Sequence, residues 1–437
     1  PGMTALVTGR AAWVPAPDSD SGEFSSSVSM SHGARILRPS KTTHAGTSSL
    51  AGITDCGFRR RLQAAGILLL MLSLCACGHG VLYTPWSPAT QPGWTQQTGD
   101  AAGVGLLARG PEPPLRLRWQ QSIGKPPLGA PMFAGPLLLQ WSKAPDLFAF
   151  DTNSGTRVGK YGSDDPVCGP SAIAGEGGRL LLVSVLGKPS QLRAIDLESG
   201  DVIWRQNGSV CAAIVVRGDT VFAALESGQV RAMAVADGSL LWTLALTAPL
   251  VEAPSIAGDR LYVADGTGEL IAASIDSGRV LWRRDLGTPM RTRPAAHAAT
   301  GRVFAAVQGG LHALEASTGK VLWQANFAGL PSAELYASSQ HVAVGSTDHS
   351  LYGFDAATGQ QLWRYETDGI IRAAPVGTAR SVYFGASDGW LYAVDASDGA
   401  MSWRQQLDGA VLVGAALNLQ TLAVTTERGT TYLFGTP

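Results

Sequence analysis

The sequence predicts an all-β fold, an eight-bladed β-propeller with four antiparallel strands in each blade. Three observations carry this prediction. A tryptophan or its replacement recurs about every 40 residues, short apolar runs alternate with glycine turns inside each repeat, and the two ends of the repeat region are complementary parts of one blade. Composition agrees, because 53 of 437 residues are glycine and only 15% are charged, which suits many tight turns between short strands.

The repeat is marked by an acidic residue, a glycine four residues later and a tryptophan four residues after that. It is complete three times, as Asp196-Gly200-Trp204, Asp355-Gly359-Trp363 and Asp395-Gly399-Trp403. Other units keep the tryptophan, at Trp119, Trp242, Trp282 and Trp323, and in one unit Gly159 stands in its place. The eight marks predict eight blades.

One unit shows the four strands. Residues 253–257 are short and apolar, 260–264 and 269–275 alternate, and 280–282 begin a fourth strand. The motif glycine supplies the positive φ of a tight hairpin, and the motif carboxylate can accept backbone N–H groups ahead of it. The tryptophan offers a large flat surface to fill the wedge between blades, so its loss should cost roughly 3–5 kcal/mol.

The ends of the repeat region predict ring closure. Trp119 lies on a fourth-type strand with no first three strands before it, and residues 431–434 form a third-type strand with no fourth after it. Together they complete one blade, which removes the exposed sheet edge that an open ring would have. The propeller is therefore expected to span 115–437.

The residues before the repeats read as export and tether segments. Arg59-Arg60-Arg61, an apolar run and Leu74-Cys75-Ala76-Cys77 describe a secretory signal over 56–77, and the apolar run is too short to span a bilayer. The end of this signal resembles a bacterial lipobox, which implies lipidation of Cys77. A plain signal peptide cut near Ala76 is the alternative, and Cys75 is the weaker lipidation candidate because Leu74 precedes it.

The flanks of the signal carry no repeat pattern. Residues 1–55 are rich in Ser, Gly and Thr, so we expect disorder or a misassigned start there. Residues 78–114 are rich in Pro and Gly and predict a tether that makes few buried contacts. Gly78 after the cysteine implies the outer membrane under the usual lipoprotein sorting rule, so we expect a lipid-anchored protein on its periplasmic face.

The repeat resembles the tryptophan-docking repeat of the quinoprotein family. The segment 194–204 carries the docking motif, and 346–355 and 387–395 match the strand before it. The resemblance implies the eight-bladed fold over about 115–437. It covers two branches: dehydrogenases that hold pyrroloquinoline quinone with Ca²⁺, and lipoproteins of the BamB branch, which lack the cofactor and act as scaffolds in outer-membrane protein assembly.

This sequence departs from the enzyme branch. The repeat region has no pair of adjacent cysteines, no long inserts and no evident set of oxygen ligands for Ca²⁺. Asp265-Gly266-Thr267-Gly268-Glu269 weakly resembles a metal-binding loop, but it aligns with the ordinary turn at residues 387–389. No catalytic, cofactor-binding or metal-binding residue is assigned, and the mild charge balance (net −1) without a basic cluster argues against nucleic acid.

Two pairs of positions at the start of inner strands are candidates for other roles. Cys168 and Cys211 fall at matching points of consecutive repeats, so they are either a disulfide or two small buried side chains. Arg291 and Arg372 share a register, with Glu252 and Glu334 in neighbouring repeats. These four are either solvated charges on the rim of the channel or a site where a partner docks.

The functional expectation is a monomeric, non-catalytic periplasmic scaffold of the BamB type, without a cofactor, bound to the membrane through lipid and to protein partners of the β-barrel assembly machinery. A quinone-binding oxidoreductase or a ligand-sensing propeller is the first alternative. A generic extracytoplasmic interaction propeller is the second, and the sequence does not separate it from the scaffold.

Overall fold

The computed structural model describes residues 82–87, 93–248 and 252–437. Over these residues the chain forms 32 short strands, arranged as eight four-stranded antiparallel sheets. The predicted eight-bladed β-propeller is thereby confirmed. The described residues all fall within one compact unit, Leu72–Pro437. The proposed signal over 56–77, with Cys77, and residues 1–55 lie outside the described part of the chain.

The first four blades follow each other along the chain, each running from the innermost to the outermost strand. Their strands are β2 (Met132–Ala134), β3 (Leu137–Trp141), β4 (Asp146–Asp151) and β5 (Arg157–Gly162) in blade 1; β6 (Ala172–Ala174), β7 (Leu180–Val185), β8 (Gln191–Asp196) and β9 (Val202–Asn207) in blade 2; β10 (Val215–Arg217), β11 (Thr220–Leu225), β12 (Gln229–Ala234) and β13 (Leu240–Ala245) in blade 3; β14 (Ser255–Ala257), β15 (Arg260–Ala264), β16 (Glu269–Ser274) and β17 (Val280–Asp285) in blade 4.

Blades 5 to 7 repeat this order, and blade 8 takes its outermost strand from the start of the repeat region. Their strands are β18 (Ala295–His297), β19 (Arg302–Val307), β20 (Gly310–Glu315) and β21 (Val321–Asn326) in blade 5; β22 (Tyr336–Ala337), β23 (His341–Gly345), β24 (Ser350–Asp355) and β25 (Gln361–Glu366) in blade 6; β26 (Val376–Gly377), β27 (Ser381–Gly385), β28 (Trp390–Asp395) and β29 (Met401–Gln406) in blade 7; β30 (Ala416–Leu417), β31 (Thr421–Thr425), β32 (Thr430–Gly435) and β1 (Arg116–Ser122) in blade 8.

The ring closes as the sequence predicts. β1 pairs antiparallel with β32, and Trp119 lies opposite Leu433. The fourth strand of blade 8 therefore comes from one end of the repeat region and the other three come from the opposite end. No helix among the described residues is long and apolar enough to cross a membrane.

The docking tryptophans join each blade to the next one. In six of them the indole Nε1 donates to a backbone carbonyl of the following blade, at 2.7 to 3.2 Å. The sequence alone does not predict this hydrogen bond. The pairs are Trp119–Thr152, Trp204–Val235, Trp242–Ile275, Trp282–Ala316, Trp323–Ala356 and Trp363–Ala396.

The motif glycine and carboxylate shape the turn that receives the indole. Gly359 has φ +75°, and a Cβ there would lie 2.4 Å from Cε3 of Trp323. Asp355 Oδ1 accepts the N–H groups of Ala357 and Thr358 at 3.0 and 2.7 Å. The ring of one blade therefore packs directly on the backbone of the next, which only glycine permits.

The junction of blades 1 and 2 is built differently, because Gly159 replaces the docking tryptophan. Residues 82–86, here called the edge segment, lie along β5 instead: Leu82 bridges Gly159, and Tyr83 N donates to Val158 O at 2.7 Å. Leu82 is buried, and Trp86 packs against the same apolar cluster, which includes Leu197 of blade 2 and is also contacted by Val158 of blade 1. A tryptophan from outside the repeats thus packs at the junction that lacks a docking tryptophan.

Candidate functional site

Residues 93–107, here called the inner segment, run once around the inside of the ring. Each innermost strand is the free edge of its sheet, and such edges carry unpaired N–H groups. Carbonyl oxygens of the inner segment accept six of these at 2.7 to 2.9 Å, in the pairs Trp94–Phe133, Thr95–Ile173, Ala101–Ile256, Ala102–Ala296, Val104–Ala337 and Gly105–Gly377. Blade 3 is bound through Gln96 and blade 8 through the Gly93–Asn418 bridge.

Side chains of the inner segment pack against the blades as well. Trp94 is 1% exposed, and Ala101 and Val104 are also buried. The Gln96 amide imitates a strand: its Nε2 donates to Val216 O at 3.1 Å and its Oε1 accepts Val216 N at 3.0 Å. Beyond it, Glu112 accepts the hydroxyls of Thr378 and Ser381 in blade 7.

The tether predicted over 78–114 is therefore wrong for the described residues 93–112. The prediction took Pro and Gly as signs of a solvated linker. In the structure these residues form an extended chain that runs around the axis, close to the backbone of the inner strands. A Cβ at Gly105, for example, would lie 2.8 Å from Pro375 O. The free strand edges supply partners that no local pattern reveals.

Arg293 is the charged centre of this arrangement. It is 1% exposed, and its guanidinium is shared between the inner segment and blade 4. Nη2 donates to Ala101 O at 2.7 Å and Nη1 to Thr98 Oγ1 at 3.0 Å. Nε donates to Pro254 O at 2.9 Å and to Ser255 Oγ at 3.0 Å. Burial lowers the pKa of Arg293 to about 10, against the opposing effect of nearby carboxylates.

Arg293 is not among the candidate residues predicted from the sequence, although the aligned repeats hold a signal for it. The position two residues before each inner strand is occupied by a small or cyclic residue in six blades: Ala130, Pro170, Ala213, Ala253, Ala374 and Gly414. In the two remaining repeats it is Arg293 and Glu334. Two charged residues at a position that is small or cyclic in the other six blades therefore mark this part of the channel.

Glu334 and Glu252 complete the polar group at this mouth of the channel. Glu334 accepts the Gln97 Nε2 of the inner segment, and burial raises its pKa. Burial and the neighbouring Glu334 carboxylate raise the pKa of Glu252 to about 8, while Arg293 opposes that rise. The inner segment is thus held by one buried cation and faces two carboxyl groups that resist ionisation.

The four predicted docking residues only partly come together. Glu334 and Arg372 line one cavity of about 170 Å³, whose wall includes Gln97, Thr98 and the partly exposed Leu412. Glu252 lies near enough to Glu334 for their charges to interact. Arg291 is exposed and does not line this cavity.

Cys168 and Cys211 form a disulfide in the structure, with their Cα atoms 4.9 Å apart. Each lies in the loop that leads into an inner strand, one before β6 and the other before β10. The bond therefore ties blade 2 to blade 3 beside the channel. Because both sulfurs are oxidised, the group they form with Glu226 offers no thiolate to a metal ion.

The residues around the axis do not fit a quinone cofactor with Ca²⁺. The inner segment takes up the free edges of the inner strands, and the Nε, Nη1 and Nη2 donors of Arg293 are already used on oxygens of this chain. The cavity at this mouth, about 170 Å³, is smaller than the roughly 300–1,000 Å³ typical of ligand pockets, whereas a cavity where the inner strands end reaches about 510 Å³. The Asp265 turn is likewise self-satisfied, since its Oδ1 accepts from Thr267 N and Glu269 N.

Two further cavities lie on the opposite face, where inner strands end. One of about 510 Å³ is bordered by the inner segment and by Arg217 of blade 3. The other, about 330 Å³, lies between blades 4 and 5 and contains Arg260, Arg302 and His297. Burial lowers the pKa of His297, so this imidazole favours its neutral form. In the second cavity the Thr300 hydroxyl lies 3.2 Å from His297 Nδ1.

A family comparison matches almost all of the propeller. The model of the family described as outer membrane protein assembly factor BamB matches residues 116–232, 188–334 and 309–436. No curated protein matches the chain by sequence.

Solved structures with the same fold fall in both functional classes. BamB from Moraxella catarrhalis superposes with a TM-score of 0.62 at 16% identity, over 74% of this chain and 100% of its own. A quinohemoprotein alcohol dehydrogenase from Comamonas testosteroni gives a TM-score of 0.65 at 13% identity, over 79% and 80%. A europium-containing methanol dehydrogenase gives 0.62 at 14%, over 79% and 99%. At these identities the likeness describes the fold and leaves the activity open.

Proposed function

This chain belongs to the family of the outer membrane protein assembly factor BamB, and on that premise we propose that it is a non-catalytic scaffold of the cell envelope. Its partners are components of the machinery that assembles outer-membrane β-barrels. The observation that carries the proposal is the inner segment. It pairs with the inner strands of all eight blades, so the chain's own residues take up space near the axis that a bound cofactor would need.

Further features support a binding role over a catalytic one. The buried charge of Arg293 is used to hold the inner segment in place. The ring is closed by β1 and braced by a disulfide. A rigid propeller with exposed loops at both ends of its strands is a common platform for protein partners.

Recovery of partners tests the scaffold role. Tagged full-length protein, purified from envelopes solubilised in mild detergent, should retain β-barrel assembly components above the level recovered with an unrelated tagged lipoprotein. Recovery of unrelated proteins alone would show that this propeller serves another assembly.

The absence of redox activity is tested separately. Purified protein incubated with pyrroloquinoline quinone and Ca²⁺ should neither retain stoichiometric quinone after gel filtration nor reduce dyes with alcohols or sugars. Stoichiometric binding would make the chain a quinoprotein despite its family.

We also propose that the chain is anchored in the outer membrane, facing the periplasm, through lipid on Cys77. Cys77→Ala should abolish incorporation of labelled palmitate and release the protein from the membrane fraction, whereas Cys75→Ala should change neither. Labelling that follows Cys75 would move the anchor to that residue.

A further inference from the structure

The outer strands of three consecutive blades carry an unusual concentration of positive charge. β1, β5 and β9 contain five cations and no carboxylate. All five side chains are exposed: Arg116, Arg118, Arg157, Lys160 and Arg205. Of these five cations, only Lys160 has an ion-pair partner among the described residues, Asp146 at 3.2 Å. This surface of blades 8, 1 and 2 is called the basic rim below.

On the outer strands of the other blades, the cations have more partners. Arg283 and Arg364 are each paired with a carboxylate, on Glu269 and Glu366, and Arg404 lies 4.6 Å over the ring of Trp390. Arg284 has no carboxylate partner among the described residues, but its Nε donates to Gly319 O at 2.9 Å. Asp285 and Glu366 also stand on these strands. Exposed aliphatic side chains, by contrast, occur on outer strands all around the ring. The cations therefore distinguish the basic rim, and the apolar side chains do not.

The edge segment brings the start of the propeller to the same place. Leu82 is fixed against Gly159 on β5, in the middle of the basic rim. Tyr83 beside it is 61% exposed, and tyrosine favours the interface between membrane and water. Cys77 precedes Leu82 by five residues, which reach at most about 17 Å when fully extended.

We propose that the basic rim rests on the membrane surface and binds the headgroups of anionic phospholipids. The proposal rests in part on the lipid anchor proposed above, which keeps blade 1 close to the bilayer. The unpaired arginines supply the charge complementarity, since each cation near an anionic surface strengthens binding about 5-fold. The propeller then stands with one edge toward the bilayer, and the loops at both ends of the channel stay open to protein partners.

Vesicle binding by the unlipidated protein tests the basic rim without help from the anchor. Full-length Cys77→Ala protein is sedimented with vesicles of phosphatidylethanolamine and phosphatidylglycerol, and in parallel with phosphatidylcholine alone. We expect binding to the phosphatidylglycerol vesicles that weakens as salt rises, because screening shortens the reach of exposed charges. Arg157→Gln with Arg205→Gln should reduce the partition coefficient by roughly 25-fold.

The matched control is Arg283→Gln with Arg404→Gln, which removes two cations from other outer strands. It should change the partition coefficient less than 3-fold, and Arg157→Lys with Arg205→Lys should bind like the parent. Circular dichroism and thermal melts verify that each variant is folded. Binding unaffected by the Arg157 and Arg205 changes, an equal loss in the control, or no preference for phosphatidylglycerol would overturn the proposal. None of these outcomes depends on palmitate labelling or on partner recovery. The vesicle experiment can therefore fail while the proposed function is supported, and the reverse.

Discussion

Arg293 is a buried cation whose stabilising role depends on backbone oxygens as much as on carboxylates. Replacement by Met keeps much of its volume but removes the guanidinium donors to the carbonyls of Ala101 and Pro254. Ala101 O then keeps only the bond from Ile256 N. The replacement also leaves the carboxyl groups at the channel mouth without their cation. We expect a loss of about 3–5 kcal/mol in the free energy of unfolding, measured by urea denaturation.

Arg291→Met is the matched control for that variant. Arg291 lies two residues away on the same loop but is exposed, and exposed substitutions typically change stability by less than about 0.5 kcal/mol. Equal losses in the two variants would mean that the buried guanidinium contributes nothing particular to holding the inner segment.

Glu252 makes the stability of the protein depend on pH. Its folded pKa, about 8, lies above the ordinary value of 4.5, so the folded state holds this proton more tightly than the unfolded chain does. The stabilisation is complete below about pH 4.5 and is lost as the pH rises toward 8, with a slope of at most about 1.4 kcal/mol per pH unit. Urea denaturation of the parent and of Glu252→Gln between pH 5.5 and 8.5 measures this. The variant should show the shallower decline, and parallel curves would contradict the assignment.

At the scale of elements, the edge segment substitutes for a missing part of the repeat. Trp86 packs where Gly159 leaves the junction of blades 1 and 2 without its indole. Trp86→Ala should therefore destabilise the propeller by about 2–3 kcal/mol, below the cost of a fully buried tryptophan because Trp86 is only partly buried. Urea denaturation measures the loss.

Tyr83→Ala, on the same segment, is the comparison for Trp86→Ala. Its side chain is 61% exposed, so we expect a change under about 0.5 kcal/mol. If both substitutions were equally mild, the edge segment would be a loose strand that adds nothing to the junction.

The sequence predicts the elements that repeat and misses those that occur once. Strands and turns follow from alternation and from glycine at hairpins, and the spacing of Trp204, Trp363 and Trp403 marks the outer strands. Residues 93–107 have no periodicity, and their hydrogen-bond partners are strand edges distributed over the whole chain. Local propensity therefore indicates a linker where tertiary contacts produce an ordered element.

At the scale of the whole molecule, two elements add to the contacts between neighbouring blades: the closing strand β1 and the inner segment. Three chains separate their effects, beginning at residues 93, 108 and 125. Loss of the inner segment should cost at least about 4 kcal/mol, since Trp94 alone accounts for roughly 3–5. Loss of β1 as well opens the edge of β32 and removes the Trp119 contact with blade 1.

Thermal melts of the three chains should rank them in that order, with the shortest melting lowest or failing to fold. Equal melting temperatures for the chains beginning at residues 93 and 108 would show that the inner segment is not needed for stability. A chain beginning at 125 that melts like the one beginning at 108 would show that closure by β1 is dispensable.

The overall architecture was accessible from the sequence because eight marks near a 40-residue period admit few folds. The site was less accessible. The charges of Arg291, Arg293 and Arg372 are all visible in the repeats. A single sequence does not show directly that Arg293 is the buried one of the three, and its burial is what lets it hold the inner segment. BamB and two dehydrogenases share this ring, so the fold by itself does not assign an activity.

The path of the inner segment has a consequence for the order in which the protein can fold. Translation produces this segment first, yet it pairs with all eight blades, from Phe133 to Asn418. It therefore cannot complete its pairing until the last blade has formed. Until then the inner strands of the earlier blades keep unpaired edges. Contacts between such distant parts of a chain make folding slow and leave intermediates prone to aggregation. A nascent propeller of this kind should depend on chaperones until its final strand is delivered.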